Sequence, residues 1–510
     1  MAKKVFSCCL TGLACQIVEV EADISNGLPI FSIVGLGDTS VQESKERVRS
    51  GIKNSGAEFP QTRKVVNLAP AEVRKKGSLF DLPIAASILL ASGQIEAKNF
   101  ESSIIIGELS LDGGVKKIHG TLAIVQHIKS VGFKKIFLPT QNAREAGFIE
   151  GIEIYGISHL KELIAFSGNS TVIKPFPAQS LERVYGGLKK KKDKYLFDQI
   201  VGLEKAKRAL SIAAGGGHNF LLIGPPGTGK TILARAFADI VPEMSSKEIF
   251  ETTKIFSIAG MLEDDIPLVF TRPFREVHHT ASLVSVIGGG GINPRPGEIS
   301  LAHNGVLFFD EITEFPSHIL EAMRQPLEDK SINISRAKFS VKFPANFVFI
   351  ATMNPCPCGY KGDPKVQCIC SPAQIKNYQR KISGPILDRF DIVMEVPLIP
   401  MRNIFIENEN SETGILCDSI NSAKDIQNKR FKNFAQVNQN SEMSLDEIRQ
   451  FCGLKKDDEK FLNQGSDNYS FSNRAYVKTL KLARTIADMD QCESIEQSHL
   501  AEALHYRINL

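Results

Sequence analysis

The stretch Leu221–Thr231, LLIGPPGTGKT, limits what this chain can fold into more than any other, because it narrows both the local backbone and the chemistry. Gly224, Gly229, Lys230 and Thr231 fill the G-x-x-x-x-G-K-[ST] pattern, with Pro225, Pro226, Gly227 and Thr228 between them. Glycines at 227 and 229 let the backbone curl so that successive N–H groups and a helix N-terminus face phosphates. Lys230 is the expected cation for the β- and γ-phosphates, and Thr231 the hydroxyl that ligates Mg²⁺. Such a pattern needs a strand before it and a helix after it. Asn219–Ile223 reads as a short buried strand and Ile232–Ile240 as a helix. ATP with Mg²⁺ is therefore the expected ligand.

Several function classes are excluded by what surrounds this stretch. No apolar run approaches the roughly 18 residues of a spanning helix, so no membrane partner is expected. Lys3, Lys4 and the apolar Val5–Cys15 imitate a short signal peptide, but Gln16–Ala22 continues as the polar/apolar alternation of a strand. A cytoplasmic location is expected, because an ATP-driven machine needs cytoplasmic fuel. The scattered cysteines Cys8, Cys9, Cys15, Cys417, Cys452 and Cys492 suit a reducing compartment. A net charge of +4 is too small to announce nucleic acid, so any basic surface must be local.

The pattern divides the chain into 1–172, 173–196, 197–398 and 399–510. The front part alternates short strands (Val65–Leu68, Ile104–Ile106) with helices (Pro83–Ser92, Thr121–Val131), which reads as an α+β domain. Next, 173–196 loses periodicity, and its Lys189–Lys192 run reads as a solvated linker or a phosphate-binding strap. The helix Gln199–Ala214 leads into the P-loop strand. Gly305–Glu311 (GVLFFDE) reads as a buried strand ending in Asp310, for Mg²⁺, and Glu311, for the attacking water. Phe347–Met353 ends at Asn354, which can orient the same water. Arg389 in GPILDRF suits an arginine finger, and Arg474 opens a long helix through Asp488 from which it can touch the γ-phosphate. Singly, either arginine reads as an ordinary surface ion pair, and only the set of elements together favours the catalytic role. The polar stretch Asn403–Ser441 reads as a loosely ordered insertion before a C-terminal helical lid.

Two stretches are candidate grips. Lys330–Phe343 reads as a hairpin with a basic tip at Arg336 and Lys338, and Ile287–Glu298 as a Gly/Pro-rich loop carrying Arg295. DNA phosphates are the expected contact for Arg336, Lys338 and Arg295. Cys356, Cys358, Cys368 and Cys370 make C-x-C-x₉-C-x-C, close enough in sequence to surround one tetrahedral Zn²⁺, although C-x-C is tighter than the usual C-x₂₋₄-C. Redox-active or free thiols are the alternative.

Taken in order, P-loop, acidic strand, polar sensor, finger and lid arginine resemble an AAA+ ATPase. REVHHTASLVSVIGGGGINPRPGEISLAHNGVLFFDEI (Arg275–Ile312), SRAKFSVKFPANF (Ser335–Phe347) and TMNPCPCGY (Thr352–Tyr360) resemble the ComM/YifB family of magnesium-chelatase-like AAA+ ATPases. Ser103–Pro139 resembles the peptidase domain of Lon-type proteases, an α+β fold of the ribosomal protein S5 domain 2-like kind. Residue by residue, Leu79 stands where those enzymes have the nucleophilic Ser and Leu122 where they have the general-base Lys, so an inactive relative is implied. The resemblance implies an α/β chain with a Lon-protease-like front domain, an AAA+ parallel sheet and a C-terminal helical lid. It further implies a homo-hexameric, ATP-driven DNA motor promoting branch migration in recombination. A protein-remodelling ATPase, chelatase-like or linked to proteolysis, remains the alternative.

Overall fold

The computed structural model describes residues 3–75, 77–168, 172–182, 184, 196–263, 266–290, 294–336, 339–398, 412–434, 437–468 and 472–507. Lys338, the side chain of Arg336 and the Lys189–Lys192 run lie outside the described residues.

At the front, strands Lys3–Thr11 and Ala14–Ser25 pair antiparallel around Gly12-Leu13, so the apolar start of the chain is a sheet hairpin. Alternation along Ala14–Ser25 buries Val18, Val20 and Ala22 on one face, the period of a half-buried strand, while Cys15 is buried on the other. Seven strands form this sheet, in the order Phe31–Val34, Arg63–Ala69, Ala14–Ser25, Lys3–Thr11, Ser103–Ile105, Lys135–Pro139, Glu153–Ile157. Helix Asp81–Ala91 is buried nearly all round, because it sits between that sheet and helix Thr39–Asn54. Leu79 is half-buried and Leu122 is fully buried, both among apolar neighbours.

The second unit is a five-stranded parallel sheet in the order Phe274–Val277, Val306–Phe309, Val348–Met353, Phe220–Ile223, Ile392–Glu395. Its central strands are buried on both faces and therefore read as unbroken apolar runs. Phe220, Leu222, Phe308 and Ile350 face helices Glu204–Gly216 and Lys230–Ile240; Leu221, Ile223, Phe309 and Ala351 face the opposite core. Five helices follow: Glu412–Arg430, Leu445–Phe451, Lys456–Asn468, Asn473–Met489 and Gln497–His505.

The expected loose insertion at 403–441 is corrected over its described part. Glu412–Arg430 is a helix packed on Glu204–Gly216. Ile420 and Ala423 are fully buried, and Gln427 donates to the Gly215 carbonyl at 2.8 Å and accepts from the Asn440 N–H at 2.9 Å. The polar residues that suggested disorder are the solvent face of an amphipathic helix whose inner face includes a hydrogen-bonded glutamine.

Front and second units share a core in which Leu122 and Phe148 meet Met244, Ile249, Leu268 and Phe270. Glu145 of the front unit is buried and accepts hydrogen bonds from the Ser257 hydroxyl and, at 3.0 Å, the Leu122 N–H. Burial pushes its carboxyl above the usual range. The expected linker is tied down at its start, since the Phe176 N–H donates to Ile154 and the Gln179 N–H to Gly147.

Candidate nucleotide site

The P-loop leaves the C-terminal end of Phe220–Ile223, between the ends of Val348–Met353 and Ile392–Glu395, the kind of crevice where open parallel sheets take ligands. Gly227 and Gly229 have φ of +80° and +85°, a left-handed conformation that side chains resist. Helix Lys230–Ile240 starts there with no side-chain cap on its first turn, so its orphan N–H groups face the loop's concavity and suit phosphate oxygens.

Lys230 is held centrally. Its ammonium donates to the Gly224 and Pro225 carbonyls at 2.7 and 2.9 Å and to Asn354 Oδ1 at 3.2 Å. Burial pulls its pKa below the usual value, opposed by Asp310 and Glu311. Thr231 Oγ1 donates to Asp310 Oδ2 at 3.0 Å, so the hydroxyl and carboxylate expected to share Mg²⁺ are already adjacent. Asp310 is oriented from behind by Thr352, whose hydroxyl donates to Oδ1 and accepts from the Glu311 N–H at 2.9 Å. Glu311 is exposed, at φ +52° and ψ +55°, an unusual backbone for a residue with a Cβ and a mark of functional constraint. The structure thus brings together Gly224–Thr231, Asp310, Glu311 and Asn354. Thr352 was missed by sequence reasoning, although it stands two residues before Asn354.

Arg389 and Arg474 are brought to each other and away from this P-loop. Arg389 donates to Glu328 Oε2 at 2.7 Å, and Arg474 lies 4.0 Å from Glu328 Oε1. Asn219, just before the P-loop strand, donates to the Arg389 carbonyl at 2.9 Å. The arginines therefore sit where that strand begins and the P-loop where it ends. At about 3.3 Å per residue, the strand puts roughly 13 Å between the two ends. Glu328, the acidic partner of both, carries no motif and was not singled out.

Arg295 is exposed in a short pair, Arg295–Pro296 against Gly288–Gly289, and its charge helps to lower the pKa of His119 in the front unit, after burial as the main cause. Ile332, Ile334, Val341 and Phe343 bury the base of the expected hairpin, whose strands are Ser331–Arg336 and Phe339–Pro344. The four clustered cysteines bring their sulfurs within 4.8 Å of one another.

Family models described as magnesium chelatase subunit ChlI match residues 196–404 and 20–142, and a model of that subunit's C-terminal region matches 410–507. YifB of Escherichia coli (strain K12) is 40% identical over 501 residues, covering 97% of this chain and 95% of that protein. Competence protein ComM of Haemophilus influenzae is 39% identical over 508 residues, covering 99% and 97%. The chain belongs to the ComM/YifB family of magnesium-chelatase-like AAA+ ATPases. The magnesium-chelatase 67 kDa subunit of Heliobacterium mobile is a more distant match, 26% identical over 190 residues, 32% of this chain and 28% of that protein. ComM/YifB family membership implies ATP binding and hydrolysis with Mg²⁺, and the residues at the P-loop fit both: a cradle of free N–H groups, a buried ammonium and an adjacent hydroxyl–carboxylate pair. Among the described residues, no helix is long and apolar enough to cross a membrane.

Proposed function

We propose that this chain is a ring-forming, magnesium-chelatase-like remodelling ATPase whose nucleotide is hydrolysed between neighbouring copies. The observation that carries the reading is the convergence of Arg389 and Arg474 on Glu328, at the end of the sheet opposite the P-loop. Neither arginine stands at its own chain's P-loop, which leaves a neighbour's nucleotide as the proposed target of both.

Thr231 and Asp310 would hold Mg²⁺, which would supply neutralisation of phosphate charge. Lys230 balances the β/γ-phosphates, and its bond to Asn354 ties the phosphate cradle to the water-orienting amide. Glu311, exposed at the rim, accepts the proton of the attacking water as it adds to the γ-phosphorus and the bond from that phosphorus to the β–γ bridging oxygen breaks, releasing ADP and phosphate. Arg389 of one copy stabilises charge on the transferring phosphoryl group in the next, with Arg474 beside it.

Mixing wild-type chains with Arg389→Ala tests this. The variant is expected to bind ATP normally and hydrolyse it slower by on the order of 10³-fold. Mixed assemblies should lose more activity than dilution explains, because one defective copy disables its neighbour's site. Activity that falls only in proportion to the added variant would reject hydrolysis between copies.

A second reading, a DNA motor, is favoured by one observation: the 39% identical relative that covers nearly the whole chain is a competence protein. On that reading Arg336, Lys338 and Arg295 grip phosphates.

A further inference from the structure

The loop from Pro355 to Cys370 contains no helix or strand and buries little apolar surface: Cys356 is fully buried, but Ile369 is 87% exposed. A stretch this long, without a core of its own, needs another source of order. Its sulfurs supply one. Cys356 and Cys358 lie 3.4 Å apart, Cys356 and Cys368 3.7 Å, and Cys358 and Cys368 3.5 Å, with Cys370 completing the group. A disulfide would bring two sulfurs to about 2.05 Å. A tetrahedron of Zn–S bonds of about 2.3 Å has sulfur–sulfur edges of about 3.8 Å, close to the spacing found. The Lys361 N–H donates to Cys356 Sγ at 3.3 Å and the Cys358 N–H to Cys370 Sγ at 3.4 Å, so backbone amides point at two of the four sulfurs. Four sulfur donors with no oxygen or nitrogen among them describe a closed, structural site with no open position for catalysis.

The loop's attachments connect it to the nucleotide site. It begins one residue after Asn354, which accepts from Lys230. Gly359, at φ +85°, passes so close to the P-loop that a Cβ there would lie 2.8 Å from Pro226 Cδ. After Cys370, Ser371 caps helix Pro372–Gln379 through a capping box with Gln374, and Gln379 reaches back to the Pro355 carbonyl at 3.5 Å. One metal would therefore fix the sensor, the P-loop wall and the segment leading towards Arg389.

We propose that Cys356, Cys358, Cys368 and Cys370 bind one Zn²⁺, and that the closed loop acts as a buttress which positions Asn354 and Pro226, so that metal occupancy sets nucleotide turnover. The positioning role rests on the nucleotide-site reading; the metal site does not. Elemental analysis of the full chain, purified without chelator, should give about one zinc per chain, in the wild type and in Lys230→Ala alike. Stripping the zinc should speed amide exchange both in 355–371 and in Gly224–Thr231. It should slow ATP turnover on the order of 10- to 100-fold, as expected when a catalytic group is misplaced by about 1 Å. Added ZnCl₂ should restore both. The double variant Cys368→Ser/Cys370→Ser should reproduce the stripped state without chelator. Absence of zinc overturns the site, and zinc whose removal leaves P-loop exchange and turnover unchanged overturns the buttress. Wild-type protein that exchanges as expected but never hydrolyses ATP would reject the hydrolysis reading and leave the metal coupling standing.

Discussion

At Asp391 two opposing effects can be weighed. Burial alone would raise its carboxyl; the Lys478 ammonium at 2.7 Å and His218 at 3.5 Å override it and hold the group well below the usual carboxylate range. The Asn219 N–H donates to the same carboxylate at 3.0 Å, which joins the start of the P-loop strand to the helix carrying Arg474. Because the folded pKa is depressed, the stability contributed is full above the ordinary carboxylate pKa of about 4 and is lost as pH falls towards the folded value. Lys478→Met should cost about 3 kcal/mol, since it leaves a buried carboxylate without its main partner. Adding Asp391→Asn should recover part of that loss and flatten the acid limb of the stability curve. Urea unfolding of the three proteins across pH checks both; a single variant as stable as wild type at pH 7 would show that the pair contributes nothing net.

The hairpin Ser331–Arg336/Phe339–Pro344 shows how an element divides its work. Its base is apolar and anchored, with Val341 so near the front hairpin that a Cβ on Gly12 would fall 2.1 Å from Val341 Cγ1. Register pairing continues to Arg336 opposite Phe339, and the expected basic tip lies outside the described residues. On the DNA-motor reading this tip holds backbone phosphates, because a motor that passes any sequence cannot depend on base edges. Affinity should then fall by roughly 0.7 to 0.9 log units per log unit of salt for each phosphate neutralised. Replacing Arg336 and Lys338 with Ala should reduce that slope and leave basal ATP hydrolysis intact. An unchanged slope would move the grip to Arg295 or to the Lys189–Lys192 run.

For the whole molecule, the front unit is docked on the ATPase core through the Glu145–Ser257 hydrogen bond and the apolar cluster around Leu122. Leu122, fully buried, contributes apolar area to that junction, which gives it a structural role. The substrate of such an assembly is decided by what accelerates it. Branched or single-stranded DNA should raise ATP turnover several-fold on the motor reading, and unfolded protein should do so on the protein-remodelling reading. Turnover measured with each, at one salt concentration, separates them; stimulation by unfolded protein alone would remove the DNA reading.

The nucleotide site was legible in the sequence because its parts are local: phosphate-binding N–H groups need glycines at set positions, and the Mg²⁺ and water ligands stand at the ends of unbroken apolar strands. Gly224–Thr231, Asp310, Glu311 and Asn354 could be read in that way, and they stand at the C-terminal ends of three neighbouring strands, where Lys230 bonds Asn354 and Thr231 bonds Asp310. The front strands were legible for the same reason, through alternation. Other features depended on the tertiary structure, because they join residues far apart in the chain. Glu328 meets Arg389 and Arg474 across 61 and 146 positions, and no spacing rule reaches that far. The helix Glu412–Arg430 was hidden because a polar residue, Gln427, fills a core position by satisfying its amide on three backbone groups, two of which, at Gly215 and Asn440, only the packed neighbours supply. The approach of Gly359 to Pro226 had no signal in either segment alone, since both loops are irregular and their contact is set by the order of the strands that carry them.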